Sequence, residues 1–125
     1  MTEDDVIVHW QKGARDELQS AKLLLAGGQY PGALFHCHLA VEKALKALYM
    51  AQHRKEPPLT HDLPQLALHL AREWTGQERG LLAELTRFAV AARYDDPVWA
   101  AQEASADNVA AWVRRVDALL SALLP

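Results

Sequence analysis

A single cysteine, Cys37, stands among the 125 residues, so no internal disulfide can form and nothing opposes a reducing cytoplasm. No apolar run approaches the roughly 18 residues that a membrane span needs. The acidic start MTEDDVIVHW is the reverse of a basic signal-peptide leader. Positive charge is not in excess either: 13 Lys and Arg against 16 Asp and Glu leave a net charge of −3, which excludes a dedicated, sequence-indifferent coat for nucleic acid. A glycine-rich phosphate loop, an HExxH and a CxxC are all missing, and with them the commonest short signatures of phosphate and zinc sites. Strand-like alternation, internal repeats and low-complexity segments are absent too. These absences predict a cytoplasmic globular protein with no membrane association, metal or cofactor.

What is present is helical. Half of the residues are hydrophobic and 23% are charged, an ordinary soluble composition in a chain long enough to build one domain over residues 1–125 around a real core. Thr2 with Asp5 resembles a capping box, and Val6, Trp10, Ala14, Leu18, Ala21 and Leu25 then recur at nearly four-residue steps until Gly27-Gly28 ends the first helix. The second and central helix spans Ala33 to Gln52, with Leu34, Val41, Leu45 and Leu48 on its core face. A loop from His53 to Leu59 contains Pro57-Pro58. A third helix, capped by Thr60 or Asp62, follows and is expected to end near Thr75-Gly76. The fourth runs from about Gln77 to Ala92 with Leu81, Leu82, Leu85, Phe88 and Ala89 inward, and Arg93-Tyr94-Asp95-Asp96-Pro97 breaks it. Ser105 caps a last helix striped by Val109, Trp112, Val113, Val116, Leu119, Leu120 and Leu123. Short connections make this an all-α, up-down antiparallel bundle of four to five helices, with the longest connection, Arg93 to Ala104, left open for function.

The polar residues beside the central apolar seam are the first candidates for a site. Glu42 and Lys46 stand four apart, which reads most simply as a surface ion pair contributing about 0.3–0.5 kcal/mol. Lys43 adds a neighbouring cation, and the cations from Lys43 to Lys55 are unrelieved by any acid in sequence, a strip that suits a phosphate or an acidic partner. His61 and Asp62 sit at the mouth of the third helix, where fixing the loop is the simpler role. His38 and Glu42 are also four apart, but two ligands do not make a zinc site. Cys37, on a mostly apolar segment, reads as a small buried hydrophobe. Arg93 offers a planar fork for carboxylate or phosphate, and Tyr94 a ring on which a base can stack. Arg93 capping helix carbonyls and Tyr94 packing on a neighbour explain the pair equally well.

Taken together, the tryptophan-led first helix (Trp10 to Leu25), LAVEKALKALY at Leu39 to Tyr49, THDL at Thr60 to Leu63 and ARYDDP at Ala92 to Pro97 resemble, in order and spacing, a HEPN (higher eukaryotes and prokaryotes nucleotide-binding) domain. The resemblance covers nearly the whole chain. It implies an up-down helical bundle, usually dimeric and often encoded beside a minimal nucleotidyltransferase, in pairs that behave as toxin and antitoxin. It also implies a polar groove faced by Glu42, Lys43 and Lys46 and joined by His61, Asp62, Arg93 and Tyr94, with a nucleotide or RNA as ligand and no cofactor. The ribonuclease branch of the family carries an arginine followed, after four to six residues, by a histidine. Beyond Arg93 those positions hold Val98, Trp99 and Ala100. Arg54 and His61 have the right spacing but lie in another connection, across Pro57-Pro58.

No catalytic residue is therefore assigned. The expected function is a dimeric nucleotide- or nucleic-acid-phosphate-binding module that partners a nucleotidyltransferase. The alternatives are a metal-independent RNA-cleaving toxin, with His61 as acid or base and Arg93 as phosphate clamp, and a purely structural interaction protein. Trp74, Trp99, Trp112 and the leucine-rich last helix, more large apolar side chains than one small bundle needs, predict the symmetric homodimer.

Overall fold

In the computed structural model, which describes residues 1–125, the chain forms α1 (Glu3–Ala26), α2 (Tyr30–His53), α3 (Leu63–Leu68), α4 (Gly76–Arg93), α5 (Pro97–Glu103) and α6 (Ala106–Leu123). The capping box at Thr2 and Asp5 is made in both directions and opens α1. Ile7 rather than Val6 leads its buried face, followed by Ala14, Leu18 and Ala21. At its end Gly28 takes φ +75°, a left-handed turn that any side chain would strain. With Pro31 in its first turn, α2 starts at Tyr30, three residues before the expected start at Ala33, since proline is pre-set for that position.

The central helix is the hub. α2 packs against α1, α6, α4 and α3, while α1 also meets α6 and α3 meets α4. Leu34, Val41 and Leu45 of α2 are fully buried against Leu63 and Leu66 of α3, Leu82, Leu85 and Phe88 of α4, and Val109 and Val116 of α6. Antiparallel neighbours around one apolar helix make the all-α up-down bundle that the helical periodicity predicts.

Three local expectations give way. First, α3 stops at Leu68 instead of running on to Thr75. Thr75 forms a reciprocal capping box with Glu78 and starts α4. Second, the Arg93–Ala104 connection is not an open loop. The Asp96 side chain accepts from the backbone N–H groups of Val98 and Trp99, Pro97 takes the first turn, and the seven-residue α5 results. Two short helices thus join four long ones. Third, the tryptophans go to the chain's own core. Phe88 meets Trp99 at 5.8 Å and, edge-on, Trp112 at 5.2 Å between ring centres, contacts that contribute about 0.5–1.5 kcal/mol each beyond burial. Trp74 is half-buried with Arg72 stacked 4.3 Å from its ring centre. Val116, Leu119, Leu120 and Leu123 are likewise buried inside the bundle.

Candidate functional site

On α2, His38, Glu42 and Lys46 follow one another at four-residue steps, and that spacing lays them along a single face. All three are buried, 2%, 5% and 7% exposed. Glu42 and Lys46 are therefore not a surface pair. A carboxylate withdrawn from water needs compensation for its lost hydration, and Glu42 finds it on both oxygens. Oε2 accepts from Lys46 Nζ at 3.1 Å, and Oε1 accepts from His61 Nδ1 at 2.8 Å. Lys46 in turn lies 5.7 Å from the ring centre of Trp10 on α1, a cation–π contact that helps to hold an ammonium out of water.

His38 stands one turn before Glu42, and sequence reasoning does not place it in the site. Its Nε2 donates to the backbone carbonyl of His61 at 2.8 Å. A neutral ring with its proton on Nε2 has a bare Nδ1, and that atom is buried without a partner, 3.9 Å from Glu42 Oε1. Burial pushes the His38 imidazolium well below the usual histidine range. The nearby charges of His61 and Arg93 push the same way, against the pull of the His61 carbonyl and of Glu42. The i, i+4 relation to Glu42 is the only signal in the sequence, and a helix offers too many such pairs for it to stand out.

The His61 side chain is 65% exposed. With Nδ1 held by Glu42, its Nε2 is the atom left for a ligand. Arg93, the last residue of α4, is exposed and takes part in none of the chain's ion pairs, yet it is near enough to His38 to act on its charge. Tyr94 closes α4 through its backbone N–H to Val90, while its ring does not pack away: the residue is 77% exposed. It lines a groove of about 450 Å³ with Val90, Asp96 and the buried Trp99.

Two of the predicted residues fall elsewhere. Lys43 is about 100° around α2 from Glu42, where its Nζ donates to Glu17 Oε1 of α1 at 2.8 Å. Its stem lies over Gly13, where an added Cβ would stand 3.1 Å from Lys43 Cδ. Glu17 also takes His36 Nδ1. Although partial burial opposes it, these bonds hold the Glu17 carboxyl below the usual range. Asp62 is the cap of α3, its Oδ1 accepting from Gln65 N. Most of the basic strip is matched in the same way: Lys43 and Lys46 have these acids, and Arg54 pairs with Glu3 and Asp4 at the start of α1, so Arg54 is not free to act with His61. Lys55 is exposed and takes part in no ion pair. Burial raises the Cys37 thiol to about 12, which leaves it a small apolar side chain. No three His, Cys, Asp or Glu side chains converge as metal ligands, and no helix is long and apolar enough to cross a membrane.

The site is thus an exposed imidazole held on a buried carboxylate already balanced by Lys46, with an exposed guanidinium, Arg93, near enough to act on the charge of His38. That arrangement attracts anions and holds one ring in a fixed tautomer. No curated protein is a significant match to the chain. A crystal structure of TT1696 from Thermus thermophilus superposes with a TM-score of 0.79 over 92% of this chain and 93% of that one, at 23% identity, and so shares the fold. The family model for the HEPN domain matches residues 7–123, which takes in every residue of the site described above, and the chain belongs to the HEPN family.

Proposed function

We propose that this HEPN domain binds a phosphate of a nucleotide or nucleic acid between His61 and Arg93, as a dimeric partner of a minimal nucleotidyltransferase. The observation that carries the reading is an unpaired Arg93 that acts on the charge of His38, the residue bonded to the backbone of a His61 whose ring is fixed by a buried carboxylate. A guanidinium with no acid of its own is a natural anion clamp, and His61 Nε2 adds a second contact. The exposed ring of Tyr94 over the groove beside Trp99 suits a base stacked next to that phosphate. Val90 and Val98, both exposed, offer apolar contacts to a second copy or to the nucleotidyltransferase. Binding of adenosine 5′-monophosphate and of a short single-stranded RNA, lost in Arg93→Ala and weakened in His61→Ala, tests the reading. Undiminished binding by both variants refutes it.

The Glu42–His61 bond also favours a second reading, RNA cleavage, because a carboxylate-held histidine is a competent acid or base. Cleavage needs a second proton-transferring group, however. His38 is buried with Nε2 committed, and Lys46 is committed to Glu42, so within one chain His61 stands alone. Binding without turnover is the reading that one protomer supports. RNA cleavage by the wild type that disappears in a His61→Ala, Arg93→Ala double variant would establish the second.

A further inference from the structure

We propose that His38 is a positioning residue for His61, the inner of two clamps by which α2 holds that residue at its backbone and its ring. The inference rests on the reading of His61 as a ligand-binding side chain. Residues 55–62 reach α2 through two hydrogen bonds, and both end on His61: His38 Nε2 to its carbonyl and Glu42 Oε1 to its ring. The segment's other bonds run within it, Thr60 N to the Pro58 carbonyl and Asp62 N to Thr60 Oγ1, or to the first turn of α3, Thr60 Oγ1 to Gln65 Oε1 and the N–H groups of Gln65 and Leu66 to Asp62, and none of them reaches α2. A ring bond to Glu42 alone would leave the peptide of residue 61 placed only through the capped start of α3 that follows it, and a side chain so exposed has little packing to restrain it.

The residue type suits the task. The carbonyl is reached by the far nitrogen of a five-membered ring, beyond the span of serine or threonine. A lysine would reach but would bring another cation beside Lys46 and Arg93, and would compete for Glu42. A neutral imidazole donates one N–H and adds no charge. Its cost is the bare Nδ1, buried without a partner, and a histidine that served only to fill the core would have no reason to carry it.

The variants His38→Gln and His38→Asn separate position from bulk. Glutamine places an amide N–H at the reach of Nε2, and asparagine only at that of Nδ1. Long-range proton–nitrogen spectra of the imidazoles report where the His61 proton sits, without any ligand. Adenosine 5′-monophosphate titration reports the site's affinity. In wild type and His38→Gln the His61 proton should stay on Nδ1. In His38→Asn it should redistribute towards Nε2, and affinity should fall about 2- to 10-fold, the worth of one buried hydrogen bond. A wild-type His61 ring state in His38→Asn, or equal loss in His38→Gln, overturns the proposal. Should the wild type not bind the nucleotide at all, the phosphate reading fails while the proton position still decides the role of His38.

Discussion

Glu42 and His61, nineteen residues apart, are joined Oε1 to Nδ1 at 2.8 Å, and the bond links the most buried acid of the bundle to one of its most exposed rings. The same carboxylate is tied to Lys46 through its other oxygen. The stability of the core and the geometry of the candidate site therefore depend on one side chain, and substitutions there should affect both.

Glu42→Gln keeps the shape and removes the charge, leaving the Lys46 ammonium buried beside Trp10 with no counter-ion. Breaking a buried pair on one side costs about 3–5 kcal/mol, and urea denaturation should show a loss of that order. Glu42→Leu combined with Lys46→Met removes both charges and should recover most of it, since apolar replacements of buried pairs are often neutral. A loss in the double variant equal to the sum of the losses in Glu42→Leu and Lys46→Met alone would show that the pair is not coupled.

Lys43 and Lys46 make a matched contrast. Each donates to one glutamate, but the Lys43–Glu17 pair keeps roughly a third of the lysine in water, and such pairs contribute about 0.2–1 kcal/mol. Lys43→Met should thus be mild and Lys46→Met severe, with helical content by circular dichroism kept in the first. A Lys46→Met variant as stable as Lys43→Met would contradict the burial of the Glu42 pair.

The Thr2–Asp5 capping box, the apolar stripes and the central role of α2 were legible in the sequence because each is set by residues within a turn or two of one another, whereas Thr75, read as the end of α3, forms a second box with Glu78 that starts α4. Burial of Glu42 and Lys46 was not. Periodicity places them beside the seam but does not tell whether Trp10 from α1 and the segment carrying His61 close over them. Asp96-Pro97 reads as a breaker, and is one for α4, yet the same two residues cap and start α5. Lys43, Lys46 and Arg54 of the Lys43–Lys55 strip looked free because their acids, Glu3, Asp4, Glu17 and Glu42, come from outside it or from its edge.

Asp96 should therefore be structural. Asp96→Ala removes the acceptor for two N–H groups of α5 and should cost about 0.5–2 kcal/mol. Trp99→Ala strips the aromatic contact with Phe88 and should cost about 3–5 kcal/mol. The near-ultraviolet dichroism of the tryptophans should fall in both. If thermal unfolding of Asp96→Ala matches the wild type, the cap does not hold α5 in place.

His38 should make stability depend on pH near neutrality. Above about pH 6.5, the ordinary histidine value, folded and unfolded chains both hold the ring neutral, and its contribution is fully present. As pH falls below that value the unfolded chain takes up a proton. The folded chain does not, because burial, with Arg93 and His61 adding to it, depresses the folded value. The unfolded state then binds more protons, so stability falls with acid, by at most about 1.4 kcal/mol per pH unit, and this contribution is gone once the folded value is passed. Glu17, held below the usual carboxylate range, loses its contribution only at lower pH, as its own folded value is passed. Urea midpoints between pH 8 and pH 5 thus isolate the histidine. His38→Gln, which keeps the bond to the His61 carbonyl but cannot titrate, should flatten the profile over that window. A slope as steep in His38→Gln as in the wild type would assign the acid sensitivity to another group.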